Sequence, residues 1–115
     1  MAIITFTLTA REFIAGQKSV TRRAWKKRHW QRWQGWWDAG RLEHEAWDRL
    51  PISGGKRIGR FRLTCRPYRE KLAEMPESDL AAEGGMCASL AEFCHLIGKT
   101  PADEVTVIRF VKLPD

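Results

Sequence analysis

A chain of 115 residues, 43% hydrophobic and 30% charged, is long enough to bury one core without disulfide or metal support. Its longest apolar runs fall far short of the ~20 residues of a membrane span, and residues 1–8 show neither a basic start nor a small-residue cleavage site, so a cytoplasmic protein with no membrane attachment is expected. The net charge of +6 is lopsided: residues 1–66 hold fifteen Lys/Arg against five Asp/Glu and residues 67–115 five against nine, which points to a phosphate-bearing partner on one face.

In chain order, IITFTL (3–8) alternates as a strand, and Thr9 with Glu12 three residues on has the spacing of a capping box, so a short helix follows and ends at Gly16. QKSVTRR then reads as a turn entering a second strand, with Lys18, Val20 and Arg22 on one face and Ser19, Thr21 and Arg23 on the other. Residues 24–50 turn helical with interruptions at Gly35 and Gly40, and PISGGK (51–56) is a loop. Within this segment, which has the character of an insertion over about 24–56, Trp30, Trp33 and Trp37 share one helical stripe. Leu42, Ala46, Trp47 and Leu50 form a second stripe, so residues 38–50 are expected to fold back as a short helix covering the first.

RIGRFRLTC (57–65) reads as a strand with one wet face, and its pairing partner is expected in EVTVIRFVKL (104–113). Between them lie two short helices, one between Pro76 and the Gly84–Gly85 pair, the other capped by Ser89 and Glu92. Strands at both ends with short helices between them imply an α+β protein built as a small mixed β-barrel. Cys65, Cys87 and Cys94 include no CxxC pair, and His29, His44 and His95 do not cluster, so neither a metal site nor a disulfide frame is expected. His95, in an otherwise apolar helix, reads as a core or rim histidine. No P-loop, GxGxxG, HExxH or GxSxG is present.

The most informative words are IAGQKSVTRR (14–23) and AAEGG (81–85). With the opening strand ITF and the closing VIRFVKL, they resemble the ASCH family of PUA-like β-barrels, whose signature GxKxxTxR matches Gly16, Lys18, Thr21 and Arg23. The family's Glu at the end of a short helix corresponds to Glu83. The resemblance covers the chain outside residues 24–56, and the small bacterial members include N4-acetylcytidine amidohydrolases. It therefore implies Thr21 as nucleophile, Lys18 as its base and Glu83 as proton donor; Arg23, Arg22 and Trp25 are expected to bind substrate, with no cofactor or metal. The chemistry suits these groups: a threonine hydroxyl needs an adjacent base, and a lysine serves only if burial or neighbouring cations depress its pKa. The implied partner is a small modified nucleoside. The alternative is a non-catalytic ASCH domain that binds RNA or modified bases through the same basic loop, and the tryptophans are open to three roles: core packing, lining a ligand pocket, or meeting a membrane.

Overall fold

A computed structural model describes residues 2–114. The elements run β1 (Ile3–Thr5), α1 (Ala10–Ile14), β2 (Val20–Arg23), α2 (Lys27–Asp38), β3 (Glu43–Trp47), β4 (Arg57–Leu63), β5 (Tyr68–Lys71), α3 (Asp79–Ala82), α4 (Leu90–Ile97) and β6 (Glu104–Lys112), with single 3-10 turns at Pro51–Ser53 and Leu72–Glu74. The architecture is mixed α+β: a curled six-strand half-barrel with short helices. The sheet order is β1-β3-β4-β6-β2, with β5 also paired to β6.

The nine-residue β6 is the spine. Its buried run Val105, Thr106, Val107, Ile108 and Phe110 is β-branched and aromatic, the composition that packs well on a pleated surface. β2 pairs along it antiparallel from Val20↔Arg109 to Arg23↔Thr106. β4 meets its C-terminal end (Phe61↔Lys112 to Leu63↔Phe110), in line with the expected partnership of these two segments, and β5 meets its N-terminal end (Tyr68↔Val107 to Lys71↔Glu104). β1 joins β3 in parallel.

β3 corrects the expected second helix over 38–50. His44 and Ala46 are buried while Glu43 is exposed, and the strand pairs with β1 on one side and β4 on the other. A polar residue holds a core-facing position here, so the period of two was hidden in the sequence. His44 is accommodated because the Ala2 N–H donates to its Nδ1 at 3.2 Å, Nε2 lies 3.1 Å from the Arg41 carbonyl, and its ring packs on Trp33 and Phe61. Residues 43–47 are therefore an interior strand of the sheet.

Of the tryptophan stripe, Trp33 alone is fully buried, among Ile4, Phe6, Phe13, Phe61 and Phe110. Trp25, Trp36 and Trp37 pack against that cluster from its edge, and Trp30 faces the Arg69 guanidinium at 5.4 Å. The helix carrying them runs unbroken through Gly35 and ends before Gly40. A smaller apolar cluster of Leu72, Leu80, Phe93, Cys94 and Val105 holds α3 and α4 to β6. Among the described residues, no helix is long and apolar enough to cross a membrane, and no group of three or more His, Cys, Asp or Glu is placed to hold a metal ion.

Candidate active site

β1 and β2 are the two ends of the sheet order, and no ladder joins them. The seam between them is bridged by a side chain: Arg23 Nη2 on β2 donates to the Thr5 carbonyl of β1 at 2.6 Å. A cavity of about 350 Å³ opens there, and its lining includes Phe6, Lys18, Thr21, Arg22, Arg23 and Glu83. Five of the six site residues singled out from sequence thus meet at one place. The sixth, Trp25, stacks on His29 and Trp33 and lines a shallow neighbouring groove instead.

Local structure fixes these side chains. Gly16, at φ +75°, lets the chain leave α1 in a left-handed turn. The Lys18 N–H donates to the Glu12 carbonyl at 3.3 Å, and the Ser19 N–H to the Ala82 carbonyl at 2.9 Å. That second bond ties the residue after Lys18 to the residue before Glu83, bringing together positions 65 apart in sequence. Thr9 stands at the N-cap of α1 without a side-chain capping bond, whereas the cap expected at Ser89 forms, its Oγ accepting from the Glu92 N–H at 3.2 Å. Thr9 instead abuts Gly84, at φ +131°, where a Cβ would lie 2.9 Å from Thr9 Cγ2 and 3.6 Å from Glu12 Cγ. Gly84→Ala should therefore cost about 1–3 kcal/mol through backbone strain and displacement of Thr9, read as a fall in Tm; an unchanged Tm would show that the turn after Glu83 adapts freely.

Within the cavity Lys18 Nζ donates to the Glu83 carbonyl and to Glu83 Oε2, the latter at 3.1 Å, and both side chains are less than a tenth exposed. Burial pushes the Lys18 pKa below that of a free lysine despite the attraction of Glu83. Burial likewise pushes the Glu83 carboxyl up, against the opposing pull of Lys18, Arg22 and Arg23. The two shifts converge, so moving the proton from ammonium to carboxylate costs less here than in water.

Thr21 Oγ1 accepts from Arg23 Nε at 3.0 Å, as alternation along β2 requires, and the Lys18 ammonium and Arg23 guanidinium lie 5.7 and 5.4 Å from the centre of the Phe6 ring. Arg22, on the opposite face of β2, is held from behind. Its Nη2 donates to Glu70 Oε1 at 2.8 Å and to Asp79 Oδ2 at 2.6 Å, and Asp79 in turn receives a two-pronged Arg109. Burial alone would lower the Arg22 pKa, but the bonds to Glu70 and Asp79 hold it above the ordinary value.

No family model, curated protein or solved structure matches this chain. The site must therefore be judged on its own geometry. Two buried polar atoms in it lack hydrogen-bond partners, Arg22 Nη1 and Glu83 Oε1, and they face one another at 3.6 Å. The two atoms, on residues that both line the cavity, attract one another as an ion pair slightly longer than a hydrogen bond.

Sequence reasoning missed the Glu70–Arg22–Asp79–Arg109 network and the role of Phe6. Each depends on contacts between distant segments, and the residue types alone read as ordinary surface charge and core aromatics. His95 is exposed on α4, so it is not a core histidine. Cys65 and Cys87 are partly buried, Cys94 is buried, and all three are free thiols.

Proposed function

We propose that the protein is an amidohydrolase that removes the acyl group from N4-acylated cytidine or a close relative, on a PUA-like barrel of the ASCH type. The observation that carries this is the buried Lys18–Glu83 pair sharing one cavity with Thr21. The two carbonyl-side acceptors, Glu83 O and Oε2, occupy two Nζ hydrogens, so a neutral Lys18 amine keeps its lone pair for another proton. Glu83 Oε1, which makes no hydrogen bond and lies 3.6 Å from Arg22 Nη1, is where the pair's transferable proton then resides.

In the first step the Thr21 hydroxyl attacks the acyl carbonyl while Lys18 takes its proton; the Arg23 guanidinium on Thr21 Oγ1 stabilises the developing alkoxide. Arg22 Nη1, which makes no hydrogen bond and pairs with Glu83 Oε1 only at 3.6 Å, meets the oxyanion. Collapse breaks the C–N bond, Glu83 delivers its proton to the departing exocyclic amine, and cytidine leaves. Water, deprotonated by the Glu83 carboxylate, then attacks the threonyl ester; Lys18 returns its proton to Thr21 Oγ1 as the ester C–O bond breaks, and the carboxylic acid leaves.

One observation favours a second reading. Lys26, Lys27, Arg28 and Arg32 are exposed along one end of α2 beside Trp25 and His29, a cationic and aromatic surface suited to RNA. A single assay separates the two: incubation of purified protein with N4-acetylcytidine, following cytidine release. Turnover that disappears in Thr21→Val supports the hydrolase, whereas no release combined with salt-dependent RNA retention supports a reader.

A further inference from the structure

The floor and rim of the cavity differ in chemical kind. On the floor Lys18, Thr21, Arg22 and Glu83 are polar and each at most 7% exposed, whereas on the rim Leu8, Met86 and Leu96 are apolar and 66%, 44% and 43% exposed. Polar groups inside and apolar groups outside invert the usual distribution, and such an inversion suits a ligand with a polar head and an apolar tail. The rim itself is two-sided. The β1–α1 turn brings Thr5, Thr7 and Thr9 alongside Leu8, while the α4 side consists of Met86, Phe93, Leu96 and Ile97, with Lys99 just past the end of the helix.

We infer that the α4 wall is an acyl subsite: the preferred substrate carries an aliphatic acyl chain longer than acetyl, and Leu96 and Met86 set how that chain is held. The inference rests on the amidohydrolase reading above for the identity of the head group. With the scissile carbonyl at Thr21 and Arg22, the acyl tail and the pyrimidine must leave the floor in different directions. The threonine-bearing side carries the polar residues Thr5, Thr7 and Thr9, the Thr7 hydroxyl donating to the Asp48 carbonyl at 3.0 Å, and the α4 wall carries no hydroxyl. The mainly apolar surface continues beyond the cavity, since Met86 and Leu96 also border a shelf with Cys87 and Ala91, flanked by Glu92 and His95, so a tail that outgrows the cavity keeps apolar contacts.

The test compares kcat/KM for N4-acetyl-, N4-butanoyl- and N4-hexanoylcytidine. A rise of about two- to fourfold per added methylene is expected, fourfold corresponding to full burial, with the rise flattened in Leu96→Ser and unchanged in Ile52→Ser, a fully solvated position outside the cavity. Calorimetric affinities for acetate, butanoate and hexanoate repeat the series without needing turnover, their carboxylate meeting the cationic floor. If no acylcytidine is cleaved yet carboxylate affinity climbs with length and Leu96→Ser abolishes the climb, the hydrolase reading fails and the apolar subsite stands. The inference is overturned if neither series depends on length, or if the dependence survives Leu96→Ser and is lost in Leu8→Ser, which would place the tail on the opposite wall.

Discussion

Replacing Lys18 with methionine should lower kcat/KM for N4-acetylcytidine at least a thousandfold. General-base removal alone is worth ~10²–10⁴, and here the base is also the group that holds the proton donor in place. Methionine keeps the aliphatic length over Phe6, so circular dichroism should remain native. The wild-type pH profile carries a second, independent signature. In the proposed mechanism the active form of the pair holds one proton between its two members, as neutral amine and neutral carboxyl, and shares that proton count with the ion pair. Activity is therefore lost when the pair gains a proton at low pH and when it gives up its last one at high pH. Because burial raises the Glu83 pKa above 4.5 and lowers the Lys18 pKa below 10.5, the bell should be narrower than those two ordinary values, with both limbs belonging to the pair.

Stability in Lys18→Met adds a sign that can be checked. A carboxyl whose folded pKa is raised contributes stability below its unfolded pKa and loses it as pH rises through the folded value. Without Lys18 to attract its anion, Glu83 is shifted further upward, so the variant's Tm should fall more at pH 8 than at pH 5. Equal losses at the two values, or activity within tenfold of wild type, would remove Lys18 from the chemistry.

Asp79→Ala should be the most damaging change outside the proposed catalytic trio, at about 3 kcal/mol or more. Asp79 is 4% exposed and accepts from both Arg22 and Arg109 at 2.6 Å; truncating one partner of a buried charge network costs ~3–5 kcal/mol because the remaining charges are left uncompensated. Burial would raise the Asp79 pKa, but the two arginines outweigh it and the net shift is downward. A depressed carboxylate contributes stability above its unfolded pKa and loses it as pH falls through the folded one. Urea midpoints should therefore drop steeply below about pH 4 in wild type, and Asp79→Ala should show less of that acid-dependent loss. Arg22 would also lose its main anchor, so kcat should fall while Asp79 itself touches no substrate. A midpoint within 1 kcal/mol of wild type would mean that Glu70 alone positions Arg22.

How much of this was written in the sequence depended on the range of the interaction. Thr21 and Arg23 lie two apart on β2, and their mutual bond follows from strand alternation. Lys18 and Glu83 could be linked only through the resemblance of their surrounding motifs, since no periodicity relates positions 65 apart; the Ser19–Ala82 bond that joins them is tertiary. β6 and its pairing with β4 were legible because both segments are β-rich and amphipathic. β3 was not, because His44 looks polar in sequence and becomes a core residue only once Ala2, Arg41, Trp33 and Phe61 surround it. The tryptophans were legible as core formers at Trp33, and Trp30 is turned toward Arg69 because β5 lies alongside. The tryptophan-bearing segment is thus mainly structural, and residues 43–47 cannot be excised as an appendage without opening the sheet.

The seam between β1 and β2 has a mechanical consequence. Neighbouring strands elsewhere in the sheet share three to five registered residue pairs, whereas one arginine side chain spans this junction. Backbone cross-linking of the half-barrel is therefore thinnest where the cavity lies, and under the proposed function a substrate held there would act as a splint, supplying the cross-links that the backbone lacks. Under the proposed function occupancy and rigidity would then be one property of this fold, with Arg23, the side chain that bridges the seam, as its latch.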